Sequence, residues 1–125
     1  MSIAAAQASQ FYEQVVRESA IFTFTNDGSF LVYPISGREV VPFWSSRARL
    51  DRIQRRHAKY RNYACETISL ASFIEKNLPD LAAENIAVGV NWSGSRLTGY
   101  DVTVEELVRN LEYWQQKLKS AEPAG

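Results

Sequence analysis

The stretch Ile21-Phe22-Thr23-Phe24-Thr25-Asn26-Asp27-Gly28-Ser29-Phe30-Leu31-Val32-Tyr33 decides how this 125-residue chain is read. On either side of Asn26-Asp27-Gly28-Ser29 the residues follow the two-residue period of a strand. Asp-Gly is a strong signal for a two-residue hairpin loop, because both turn positions require positive φ. With Asp27-Gly28 as the loop, Phe24 is expected opposite Leu31 and Phe22 opposite Tyr33. These four bulky side chains would share one face, leaving Thr23, Thr25, Phe30 and Val32 on the other. A second turn at Ser36-Gly37 returns the chain through residues 40–44 and completes a three-strand meander. Pro42 has no N–H to donate, so this third strand is expected at an edge or already leaving the sheet.

Upstream of the hairpin, Ala8, Phe11, Tyr12, Val15 and Ser19 follow a 3.6-residue period and predict a helix, with Gln7, Gln10, Gln14 and Arg17 on its opposite side. Downstream, Ser45 or Ser46 is placed to cap a helix running to about Tyr60, whose apolar stripe is sparse: Leu50, Ile53, His57 and Tyr60. Residues 63–68 read as a strand. Ser69 then caps a helix with Leu70, Phe73, Ile74 and Leu78 inward, which Pro79 stops or kinks. Residues 86–92 are almost continuously apolar, the pattern of a central strand. A short strand follows around residues 100–102. Thr103-Val104-Glu105-Glu106 is a capping box opening a last helix that buries Val104, Leu107, Val108, Leu111, Trp114 and Leu118. The order α-β-β-β-α-β-α-β-(β)-α predicts one α+β domain over residues 1–119, with about four helices on a largely antiparallel sheet of about five strands. Residues 120–125 are expected to form a frayed tail.

Composition narrows the function classes. One His and one Cys leave no triad, multi-cysteine metal site or internal disulfide framework, so no catalytic residue, metal or cofactor is assigned and the reading leans away from an enzyme. No Gly-rich phosphate loop is present. Gly89, inside a strand, marks a close backbone approach or a bulge. His57 and Cys65 are read as packing or surface residues. No apolar run is long enough for a membrane span, and residues 1–10 lack the basic start and apolar stretch of a signal peptide. A soluble cytoplasmic protein is the expectation.

The 14 basic and 14 acidic residues balance only as a sum. Residues 47–61 hold Arg47, Arg49, Arg52, Arg55, Arg56, Lys59 and Arg61 against Asp51 alone, seven minus one or +6, while the rest of the chain has seven basic and thirteen acidic groups, or −6. Arg49, Arg52, Arg56 and Lys59 form a stripe beside the apolar one. Arg47 and Arg49 sit in the first turn, where the helix dipole prefers acids. Four readings follow: an acidic protein partner; RNA or single-stranded DNA, with Trp44 or Tyr60 stacking on bases; an anion held by Arg47 and the first-turn N–H groups; or a solvated face paired internally to Glu66, Glu75, Glu105 or Glu112. Near-zero whole-chain charge places nucleic acid behind protein. Trp44 and Trp92 each close a strand, and with Asn91 they are expected to rim a pocket if those strand ends lie side by side. The strand at residues 40–44 and the last helix each offer a route to a homodimer.

Several of these segments resemble a family of bacterial proteins catalogued as domain of unknown function 2750. The carrying stretches are Phe11-Tyr12, Phe30-Leu31-Val32, Val41-Pro42-Phe43-Trp44-Ser45-Ser46-Arg47, Ile68-Ser69-Leu70, Phe73-Ile74-Glu75, Asn77-Leu78-Pro79-Asp80-Leu81 and Ile86-Ala87-Val88-Gly89-Val90-Asn91-Trp92. The resemblance runs from about Phe11 to Glu112 and implies a small single α+β domain, with no activity, cofactor or catalytic residue to carry over. The helix after the Trp-Ser turn is more acidic in the family, so the Arg run departs from it. Together these readings lead to a non-enzymatic accessory or immunity-type protein that docks an acidic partner through Arg49, Arg52, Arg56 and Lys59.

Overall fold

The computed structural model describes residues 2–121, an α+β domain built on two small sheets. Helix α1 (Ile3–Glu18) starts on Ser2, whose hydroxyl accepts the Ala5 N–H, and ends on Ser19 at φ 53°. Its buried face is Ala8, Phe11, Tyr12 and Val15; Ser19 is the exposed cap. Strands β1 (Ala20–Asn26) and β2 (Ser29–Phe30) form the Asp27-Gly28 hairpin, pairing Thr25 with Phe30 and Asn26 with Ser29.

Beyond those two pairs the hairpin ladder stops. Leu31 and Val32 leave it, and β3 (Tyr33–Ile35) pairs instead with β4 (Arg38–Phe43) in the second sheet. The edge of β1 that periodicity assigns to Tyr33 is taken by Trp44, which bridges to Phe22. The other edge of β1 pairs along its length with β5 (Ala64–Ser69), from Ala20 opposite Ser69 to Thr25 opposite Ala64. The expected pairs Phe24–Leu31 and Phe22–Tyr33 therefore do not form: Trp44 takes the place of Tyr33 beside Phe22, while Phe24–Cys65 and Phe22–Thr67 pair across the opposite edge. Even so, Phe22, Phe24, Leu31 and Tyr33 do meet in one apolar cluster.

The second sheet has the order β3-β4-β6-β7, with β6 (Ala87–Ser93) and β7 (Thr98–Val102). Its central pair, β4 with β6, is parallel. Strand β4 is thus internal in the strand order, not the edge expected at residues 40–44. Pro42 is tolerated because β3 covers only residues 38–40 of β4; past that point Thr23 donates its hydroxyl to the Pro42 carbonyl at 2.8 Å. Both central strands are buried on two faces. Val41, Phe43, Val88 and Val90 face a core closed by α1 and α5 (Val104–Ala121), while Val40, Trp44, Ala87 and Trp92 face a second core under α2 (Arg47–Arg56).

The remaining helix is one continuous run: α3 (Leu70–Ser72), a π segment (Phe73–Asn77) and α4 (Leu78–Ala83). Pro79 has no N–H and crowds the preceding turn, and the widened turn before it, in which the Leu78 N–H reaches the Phe73 carbonyl, relieves this. The extra residue rotates the buried face from Phe73 to Leu78 and Leu81, so Ile74, expected inward, is exposed. The capping box of α5 forms as read, with the Glu106 N–H on the Thr103 hydroxyl at 3.1 Å and the Thr103 N–H on the Glu106 carboxylate at 3.4 Å. Ser120 and Ala121 close α5, and the rest of the expected tail lies outside the described residues. No helix among them is long and apolar enough to cross a membrane.

Candidate functional site

The strand ends carrying Trp44 and Trp92 lie side by side, and Asn91 fastens them together. Asn91 sits at φ 49° in a bulge where it and Trp92 together oppose Gly99 between the pairs Val90–Tyr100 and Ser93–Thr98. Its Oδ1 accepts the Ser45 N–H at 2.9 Å, and its Nδ2 donates to the Ser45 hydroxyl at 3.0 Å and to the Gln7 carbonyl at 3.2 Å. Ser45 in turn donates its hydroxyl to the Gln14 side-chain oxygen at 2.5 Å. The Trp44 indole N–H reaches the Trp92 carbonyl at 2.8 Å.

These bonds bury the three residues instead of arranging them as a rim. Trp44 and Asn91 are 0% exposed and Trp92 5%, and Trp92 borders the cavities beside α2. The bulge also turns the Trp92 ring onto the face of Gly89, which a regular strand would not do for residues three apart. A Cβ on Gly89 would lie 2.5 Å from that ring, so the expected close approach at Gly89 is to Trp92.

With the Trp44-Ser45 corner clamped, Ser46 caps α2 by accepting the Arg49 N–H at 3.3 Å. The helix ends at Arg56, four residues earlier than expected, because His57 turns extended; a 3-10 turn over Ala58–Tyr60 carries Tyr60 back into the core. Leu50, Ile53 and Tyr60 are the buried stripe.

The basic residues then separate into two sets. Arg49 crosses to α1 and divides its guanidinium between Gln7 (2.6 Å) and Gln10 (2.7 Å). Burial, and then the charge of Arg52, lower its pKa from the usual arginine value. Arg47 pairs with Asp51 at 3.2 Å, one turn along. Arg61 folds back on the carbonyls of Gln54 and Arg55. Lys59 lies over the Tyr60 and Tyr33 rings, at 5.4 and 6.0 Å from their centroids.

Arg52, Arg55 and Arg56 are exposed, and among the described residues none makes an ion pair. The internal pairs considered with Glu66, Glu75, Glu105 and Glu112 are not formed; Glu66 instead accepts from the Thr25 hydroxyl at 3.3 Å.

Two cavities open beside this helix. One of about 30 Å³ lies between Arg49, Arg52 and Arg56 and the turn at Ser93-Gly94, room for roughly one or two water-sized groups. It adjoins a larger one of about 360 Å³ walled by Tyr33, Pro34, Ile35 and Tyr60 and flanked by Lys59 and Arg96. His57, Trp92 and Leu97 border both, so the two cavities lie side by side and share one wall. His57 is fixed in it, its Nε2–H donating to the Gly94 carbonyl at 3.2 Å. Arg96 escaped the sequence reading because it is distant from the Arg run and only the β6–β7 turn brings it alongside. Gln7, Gln10 and Gln14 lie on the side of α1 opposite its apolar stripe, where they meet Arg49 and Ser45. Their signal was chemical: a stripe of neutral amides where an ordinary surface helix would carry charge. Cys65 pairs with Phe24 across the β1–β5 ladder, and burial pushes its thiol pKa up, which disfavours thiolate chemistry.

Fold and surface together define a small α+β domain with a cationic groove between one helix and a β-turn. The chain belongs to the family described as "Protein of unknown function (DUF2750)", whose model matches residues 8–111. No curated protein matches it. The solved structure of Tic22 from Plasmodium falciparum is similar at 15% identity over 90% of this chain and 78% of that one, with a TM-score of 0.38; a likeness so distant carries no argument.

Proposed function

We propose that this protein is a non-enzymatic binding domain that docks an acidic segment of a partner protein in the groove between α2 and the β6–β7 turn. The observation that carries this reading is the set Arg52, Arg55 and Arg56, exposed on one helix and, among the described residues, in no ion pair. Like charges three and four residues apart on a helix destabilise it, so a docked carboxylate offsets a standing repulsion. Exposed charges steer and select partners more than they hold them, and affinity comes from desolvated apolar anchors. The aromatic-walled half of the groove supplies such a place. The fitting segment therefore combines carboxylates, for Arg52 and Arg56, with an aliphatic or aromatic side chain for the cavity beside Tyr33. Nucleic acid is the weaker reading because Trp44 and Tyr60, the stacking candidates, are 0% and 1% exposed and present no platform to a base.

The test measures anisotropy of labelled probes: a Glu/Phe peptide, an all-Glu peptide and oligouridine. The Glu/Phe peptide should bind tightest, and Arg52→Glu with Arg56→Glu should weaken it at least tenfold without changing the melting temperature. Tightest binding of oligouridine, with affinity falling steeply in salt, would transfer the groove to RNA. Equal binding by the native and charge-reversed proteins would remove the basic helix from the account.

A further inference from the structure

On another part of the surface, away from every arginine of α2, lies a cavity of about 490 Å³. It exists because β2 is only two residues long: the chain leaves β1 at Leu31 and Val32, opening a gap between the hairpin turn, β4 and α4. Phe30, Val41, Leu81 and Ile86 supply its apolar lining. The volume falls within the roughly 300–1,000 Å³ of small-molecule sites.

The titratable side chains lining this cavity are Asp80, on α4, and Glu84, the residue that caps the end of α4, whose N–H reaches the Asp80 carbonyl at 3.3 Å one turn away. Among the described residues neither carboxylate is in an ion pair, and no Lys, Arg or His lines the cavity. An apolar recess with two uncompensated carboxylates at hand selects by charge as well as by shape. It repels an anion, leaves a neutral ligand without a partner for the acids, and matches a cation on an apolar body.

We infer that the recess between the β1–β2 turn and α4 binds a small apolar cation, a primary amine or amidine on a short aliphatic or aromatic body, with Asp80 and Glu84 taking the charged head. This site is independent of the cationic groove and selects the opposite charge.

The experiment titrates the full chain, isotopically labelled, with 2-phenylethylamine and with the carboxylate of matching shape, 3-phenylpropionate, following amide shifts by NMR. The amine should give saturable shifts centred on Phe30, Leu81 and Ala83, and the carboxylate should give none there. Asp80→Asn with Glu84→Gln should weaken the amine at least tenfold. Ala83→Phe, which obstructs the recess and leaves both acids in place, should abolish its binding. All three positions are exposed, and the same spectra report whether each variant is folded. Equal shifts from both probes, amine shifts mapping elsewhere, or an affinity unchanged by removing the two acids would overturn the assignment.

Discussion

Phe22 and Trp44 exchange both of their backbone hydrogen bonds, the Phe22 N–H to the Trp44 carbonyl at 2.9 Å and the Trp44 N–H to the Phe22 carbonyl at 2.7 Å. With the Thr23 hydroxyl on the Pro42 carbonyl, this bridge ties the β2-β1-β5 sheet to the end of β4 in the second sheet. The next residue is Ser45, held by Asn91, and the one after it caps α2. The position of the basic helix therefore derives from a backbone bridge and one amide side chain, both in the core.

The Asn91 clamp is testable by substitution. Asn91→Ala leaves the buried Ser45 N–H without its partner and places an alanine at positive φ, and should cost about 2–4 kcal/mol. Asn91→Gly removes the clamp but not the backbone freedom, so urea titration should place it between the native protein and Asn91→Ala. A destabilisation below 1 kcal/mol for both would mean that the clamp does not hold the corner.

Gly89 is required by Trp92. Gly89→Ala puts a methyl group 2.5 Å from the buried indole, and overpacking of this kind costs about 1–3 kcal/mol. Thermal unfolding should show the loss, and Gly89→Ala with Trp92→Leu should recover part of it.

Arg49 anchors, while Arg52 and Arg56 do not. Losing the bonds to Gln7 and Gln10 through Arg49→Ala should cost about 1 kcal/mol, with measurable coupling to Gln10→Ala in a double-mutant cycle. Arg52→Ala and Arg56→Ala should leave stability within about 0.5 kcal/mol of the native value.

High pH should unfold the protein through its buried phenols. Burial and the hydrogen bond to Tyr33 raise the Tyr60 pKa well beyond the ordinary tyrosine range, and burial also raises Tyr33 and Tyr12. An unfolded tyrosine titrates near pH ~10, so above that point the unfolded chain has released protons that the native state keeps. The contribution is fully present below about pH 10 and is lost as pH rises toward the native values. Melting temperature followed from pH 8 to 12 should fall above pH 10, less steeply in Tyr60→Phe.

The elements legible in the sequence were those whose signals are local. The period of α1, the Asp27-Gly28 turn, the Ser46 and Ser69 caps and the Thr103–Glu106 box each depend on residues within a few positions of one another, and each forms. The Arg run was equally visible, because charge is read one residue at a time. What it touches was not. Arg49 meets Gln7 and Gln10 across 39 or more positions of sequence, and Arg96 joins the groove only through the β6–β7 turn.

By itself, then, the sequence determined the helices, the first turn, the two-sided burial of residues 87–92 and a basic segment in an otherwise acidic chain. Tertiary structure decided the partners: Trp44 instead of Tyr33 beside Phe22, β6 parallel to β4, and only Arg52 and Arg56 of the four-residue basic stripe left, among the described residues, without an ion pair, an amide acceptor or a ring to lie over. The reason is physical. A strand edge accepts whichever backbone reaches it with the greater burial, and a guanidinium takes whichever acceptors the packing brings near; neither choice is encoded by spacing along the chain.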